Sequence, residues 1–195
     1  MFGSSILVVP KTYVDPHTLE SYVSVDLPQT EDSWFNFNTL REVAQFNGTM
    51  VLQYWQQAIL VRKGSILPLL NHKRELSLQE ALKNPIHLQV YGQEASGFLY
   101  LDSNMNDNVA TVISFTFASG GLTYETKPAH ENGPLLDTSS YLINLITFCG
   151  QETDFAKATV LGRAASVESD ANGTLRLRNL HIALPLGKRS LVTLN

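Results

Sequence analysis

A single cysteine, Cys149, excludes an internal disulfide in this chain of 195 residues. It follows the apolar run Ile143 to Phe148, where a lone cysteine reads as a small buried hydrophobe. Charge is sparse as well. Only 16% of residues are Asp, Glu, Lys or Arg, the formal net charge is −4, and no basic block occurs; nucleic acid is not an expected partner. No apolar stretch approaches the roughly 20 residues that carry a helix across a bilayer, so no membrane span is expected. The five histidines (His17, His72, His87, His130, His181) share no metal-ligand spacing, and none stands with Cys149 in a nucleophile motif. Phosphate-cradling glycine loops, serine nucleophile elbows and dinucleotide fingerprints are absent too. No metal, no cofactor and no catalytic residue is assigned.

What is present is an ordinary globular composition, 44% hydrophobic, in a chain long enough for one or two cores. The dominant pattern has period two. Val23, Val25 and Leu27 alternate with polar neighbours; Ile86, Leu88 and Val90 alternate with His87, Gln89 and Tyr91. Val109, Thr111, Ile113, Phe115 and Phe117 share one strand face, and Leu175 and Leu177 alternate with Arg176 and Arg178. Turn signals punctuate these runs at Asn47-Gly48, Gly120-Gly121, Asn132-Gly133-Pro134 and Asn172-Gly173. Ile59 to Pro68, two apolar runs about a basic turn and Gly64, predicts a tight hairpin. One helix is expected: Ser77 caps Leu78-Gln79-Glu80, and Asn84-Pro85 stops it. The expected fold class is all-β, two small antiparallel β-sandwich domains (1–75 and 76–195) joined by a short helical linker.

Several features bear on binding. Asp102 to Asn108 alternates oxygen side chains that suit a hard cation, but the spacing fails the EF-hand pattern, and a solvated hairpin loop is the simpler account. Among the aromatics that could stack on a sugar ring are Trp34, Tyr54, Trp55 and Tyr124. Trp34, Trp55 and Tyr124 form the carbohydrate-binding candidates, although aromatics in β-domains are more often core. Asn47-Gly48-Thr49 and Asn172-Gly173-Thr174 are glycosylation sequons, making Asn47 and Asn172 acceptor candidates in a secretory protein. The opening Met1 to Pro10 lacks the features of a signal peptide and reads as a buried strand, which suggests that something lies before it.

Five segments, in order, resemble the C-terminal β-domains of the family 31 glycoside hydrolases, the α-glucosidase family. Phe2 to Pro10 is similar to the strand that follows the family's barrel. Trp34-Phe35-Asn36-Phe37 resembles its aromatic strand, with Asn36 in place of the usual Asp. Ala58 to Pro68 is similar to the segment in which an Arg-Gly-Gly turn joins two apolar runs, with Lys63 at the first Gly. Leu76 to Tyr91 resembles the link into the distal domain. Glu94 to Asp102 resembles a strand that normally ends Asp-Asp-Gly, where Ser103-Asn104 depart.

The resemblance covers about half the chain and implies that the catalytic barrel lies elsewhere. Retaining hydrolysis needs two carboxyl groups roughly 5–5.5 Å apart, and the family carries both on barrel loops. None of the 18 acidic residues sits in the family's Trp-x-Asp-Met-Asn-Glu setting. The implied role is a non-catalytic portion that packs on a catalytic barrel domain, in the same precursor or on a separate chain, within the secretory pathway. The alternative is a free-standing carbohydrate-binding or scaffolding module whose partners are glycans.

Overall fold

In the computed structural model, residues 3–9, 22–28, 33–43, 48–53, 58–70, 81, 84–103, 109–131, 133–151, 155, 157–170 and 173–195 are described. They form strands almost throughout, as the period-two patterning predicts. The chain divides into two compact units, residues 1–63 and 64–195.

The first unit contains β1 (Ile6–Val9), β2 (Tyr22–Asp26), β3 (Trp34–Asn36), β4 (Thr49–Gln53) and β5 (Ala58–Arg62). β5 lies between β1 and β3 in a three-stranded sheet, and β2 pairs with β4. β5, the central strand, is apolar on both faces, with Leu60 and Val61 fully buried. The core gathers Leu27, Trp34, Met50, Ala58 and Leu60, with Leu7, Val9, Val25 and Val43 packed against it. Asn36 ends β3: its Oδ1 accepts from the backbone N–H groups of Asn38 and Thr39 at 2.9 and 3.0 Å, closing the next turn.

The second unit contains β6 (Ile66–Leu70), β7 (Ile86–Tyr91), β8 (Ala95–Asp102), β9 (Ala110–Ala118), β10 (Gly121–Pro128), β11 (Leu142–Cys149), β12 (Ala158–Val160), β13 (Arg163–Ala165), β14 (Glu168–Ser169), β15 (Leu175–Ala183) and β16 (Lys188–Leu194). A six-stranded sheet runs β13-β12-β16-β10-β9-β8 and a five-stranded sheet runs β14-β15-β11-β7-β6. Their inner faces meet in one core. Ile113, Phe115, Phe117, Leu122 and Tyr124 come from the first sheet, and Leu88, Val90, Ile146, Phe148 and Leu177 from the second. Phe117 and Phe148 join the sheets with ring centroids 5.0 Å apart and tilted. Ser119 and Gly120, at φ +50 and +73, form the two-residue turn of the β9–β10 hairpin, where both positions need the left-handed region.

Two expectations change. Ile59–Val61 and Ile66–Pro68 do not pair as a hairpin; β5 belongs to the first unit's sheet, and β6 pairs with β7. Partners distant in sequence take the backbone bonds of the turn: Arg62 N–H donates to Ser5 and Lys63 N–H to Ser33, both at 2.9 Å. Beyond Gly64 (φ +86), Gly64 N–H donates to Tyr91 at 2.7 Å and Ser96 N–H to the Gly64 carbonyl at 2.9 Å. The division between units therefore falls at Lys63/Gly64 rather than at the helical link. The sheets are antiparallel as expected, with one parallel pair, β11 beside β7. Of the link itself only Ala81, Asn84 and Pro85 are described; Ala81 is helical and buried.

Candidate functional site

Strand register places a groove on the five-stranded sheet. Leu69 of β6, His87 of β7, Leu145 of β11 and Arg178 of β15 are direct cross-strand partners, one row across the five-stranded sheet. The neighbouring row is Pro68, Leu88, Ile146 and Leu177, of which Leu88, Ile146 and Leu177 feed the core. Alternation therefore turns the Leu69–Arg178 row to the opposite face.

Beside that row the ladder breaks. Ile143 pairs with Ile86 and Leu145 with His87, so Asn144 is an extra residue in β11. Against β15, Ile143 meets Ile182 while Leu145 meets Arg178, leaving 179–181 opposite Asn144. Asn179 and His181 take φ +56 and +49, unusual values outside glycine. The double bulge bends the sheet and opens a groove of about 490 Å³, lined among the described residues by Leu69, Leu70, His87, Asn144, Leu145, Arg178 and Asn179.

The groove is close to neutral. Arg178 Nε lies 2.8 Å from Glu168 Oε2, and Arg176 lies 3.1 Å from Asp170 Oδ2. Burial, then the guanidinium groups of Arg176 and Arg178, push His87 down from 6.5 to about 4. Its Nε2 is 2.9 Å from Thr147 Oγ1. Further along the face Tyr91 donates to Gln89 Oε1 at 2.7 Å, and burial pushes the Cys149 thiol up to about 12. Cys149 is fully buried, an inert packing residue.

His87 makes stability pH-dependent. Its folded pKa is depressed, so the unfolded chain binds the extra proton between about pH 6.5 and 4. The contribution is whole above the unfolded value, is lost as pH falls through this window, and is flat below it. Urea unfolding should lose on the order of 2 kcal/mol more over this window in the wild type than in His87→Gln. Identical slopes for the two proteins would remove His87 as the cause.

Two of the sugar-stacking candidates are corrected. Trp34 is 1% and Tyr124 2% exposed; both rings are core, and neither presents a face to solvent. Trp34 fills the first unit's core, and Tyr124 fills the sandwich with its hydroxyl donating to the Pro185 carbonyl at 2.8 Å. Trp55, Asn47 and Asn172 lie outside the described residues, as do 104–108 of the polar loop. The aromatics that do face solvent were not singled out from the sequence. Phe98 (68% exposed) and Tyr100 (48%) stand two apart on β8, on one outward face of the six-stranded sheet.

The described residues contain no cluster of three metal-ligating side chains. A second cavity of about 340 Å³ carries one carboxylate, Glu94, with Gln93, Phe117, Ser119, Gly120, Gln151 and Phe155. No carboxylate lines the larger groove among the described residues. Neither cavity presents the carboxylate pair that glycoside hydrolysis requires. No helix among the described residues is long and apolar enough to cross a membrane.

No protein-family model matches the chain, and no curated protein matches it by sequence. Solved structures do, and the class they define is β-rich: the chain has the fold of a segment of family 31 glycoside hydrolases. The glucosidase II α subunit superposes on 97% of the chain with a TM-score of 0.76 at 16% identity. The family 31 dextranase of Flavobacterium johnsoniae covers 99% with a TM-score of 0.66 at 14% identity. The family 31 α-xylosidase of Xanthomonas citri covers 100% with a TM-score of 0.58 at 19% identity. The chain spans only 23%, 26% and 19% of those three chains, respectively.

Proposed function

We propose that this chain is the non-catalytic C-terminal β-sandwich portion of an α-glucosidase-like protein, and that it acts by packing on and stabilising a catalytic barrel. The observation that carries this reading is the near-complete superposition of the chain on about a quarter of much larger glycoside hydrolases. The barrel, in the same precursor or on a separate chain, supplies both catalytic carboxylates. On this reading the protein works in the secretory pathway, where Asn47 and Asn172 are glycan acceptors; one matched structure is an ER glucosidase II heterodimeric complex.

Phe98 and Tyr100 are the proposed contact with the barrel. Large apolar side chains exposed side by side on a sheet are what an absent partner leaves behind. Native and denaturing mass spectrometry of source material tests the proposal. A much larger companion, covalently continuous or lost only on denaturation, is expected, with activity on a chromogenic α-glucoside following it; the same masses read glycans at the two sequons. A stable species of this chain alone, with no companion, would overturn the proposal. For a separate companion, joint substitution of Phe98→Ser and Tyr100→Ser should weaken association by about tenfold or more. The isolated chain should lose less than about 1 kcal/mol, because both rings already face water. Unchanged association would move the contact to another face.

A further inference from the structure

We propose that the groove across β6, β7, β11 and β15 is a binding site for a neutral polyhydroxylated ligand, a mono- or oligosaccharide. This does not rest on barrel docking, since Phe98 and Tyr100 belong to the other sheet. The cavity volume, about 490 Å³, falls within the range of small-molecule clefts. Leu69, Leu70 and Leu145 are its apolar lining, suited to the C–H face of a pyranose ring. Asn144 and Asn179 are placed on it by the double bulge, a device that re-aims side chains at binding sites. Neither side-chain amide has a hydrogen-bond partner among the described residues. Each therefore offers one acceptor and two donors, the complement of adjacent hydroxyl groups.

Charge selects the ligand class. Arg178 is already paired with Glu168, which leaves no unpaired cation among the described lining residues to hold a phosphate or carboxylate. A single pyranose ring with hydroxyls around its edge meets an apolar lining and two side-chain amides together; an extended peptide offers its amide groups in line instead.

The test is a chemical-shift titration of the full chain with glucose, maltose and isomaltose, with triglycine and inorganic phosphate run as competing probes. Saturable shifts of the Asn144 and Asn179 side-chain amides are expected with at least one sugar, at a dissociation constant on the order of 1 mM. Asn179→Gly is the decisive variant, because glycine accepts φ +56 without strain and removes only the amide. It should weaken sugar binding about tenfold while leaving the unfolding midpoint in place, and Asn144→Ala should do the same. The proposal falls if no sugar saturates these amides, if phosphate or triglycine binds more tightly, or if Asn179→Gly leaves affinity unchanged.

Discussion

Alanine at Gly97 is expected to destabilise the second unit by about 3 kcal/mol or more. The methyl group would stand 2.0 Å from the Ile66 carbonyl oxygen and 2.8 Å from its carbon. Those are backbone atoms, so no rotamer change relieves the clash. β6 and β8 are the end strands of the two sheets, bridged directly at Ser65 and Ser96. Ile66 is buried in the core, so the strands must part to admit one carbon. Gly162→Ala is the control. Nothing lies within 4 Å of the added carbon there, and φ +78 makes the whole penalty conformational, about 1–2 kcal/mol. Urea unfolding of the two variants separates contact from backbone strain. If Gly97→Ala loses no more than Gly162→Ala, the close approach of β6 and β8 does not hold in solution. Displacing β8 would also shift Phe98 and Tyr100, the contact proposed above for a barrel, so on that proposal association should weaken in parallel.

Gly97 shows what the sequence discloses and what it withholds. A glycine inside a strand marks a close backbone approach, and that was readable. Its neighbours were harder, because β8 carries Phe98 and Tyr100 on one face and Leu99 and Leu101 on the other, both apolar. The alternation is the same whichever face is buried; only the proximity of Ile66 to the Gly97 face decides it. β9 was legible because Thr111, Ile113, Phe115 and Phe117 oppose the less apolar Val112, Ser114 and Thr116. β5 and β6 were misread for a different reason. Gly64 gives a local turn, yet the hydrogen bonds that define sheet membership come from Ser5, Ser33, Tyr91 and Ser96. The groove was invisible for the same cause. Asn144 and Asn179 come together through a register slip between strands distant in sequence, and neither residue is unusual where it stands. His87 stands in the sequence only as one residue of an alternating strand; its bond to Thr147, its burial and the guanidinium groups of Arg176 and Arg178 that depress its pKa come from the fold.

Trp34→Ala is expected to remove about 3–5 kcal/mol from the first unit, against roughly 1 kcal/mol or less for Trp34→Phe. The indole packs with Leu27, Met50, Ala58 and Leu60, and among the described residues of that core no other side chain is as large. Truncation to alanine leaves a void that short strands such as β3 cannot close without losing their ladder. Phenylalanine also gives up volume, but it removes a liability. Trp34 Nε1 is buried with no hydrogen-bond partner among the described residues, so the native fold carries the desolvation of an unpaired donor. The two effects oppose each other, and the net change is small. Native folds commonly hold only about 5–15 kcal/mol in reserve, so Trp34→Ala should leave the first unit unfolded or nearly so while the sandwich keeps its own transition. Separate unfolding transitions for the two units, the earlier one moved by Trp34→Ala and unmoved by Gly97→Ala, would establish that the cores are energetically distinct. Equal losses for Phe and Ala would show that the indole N–H is bonded in solution. Unchanged stability in Trp34→Ala would return the ring to the surface, and with it the sugar-stacking role that its burial now excludes.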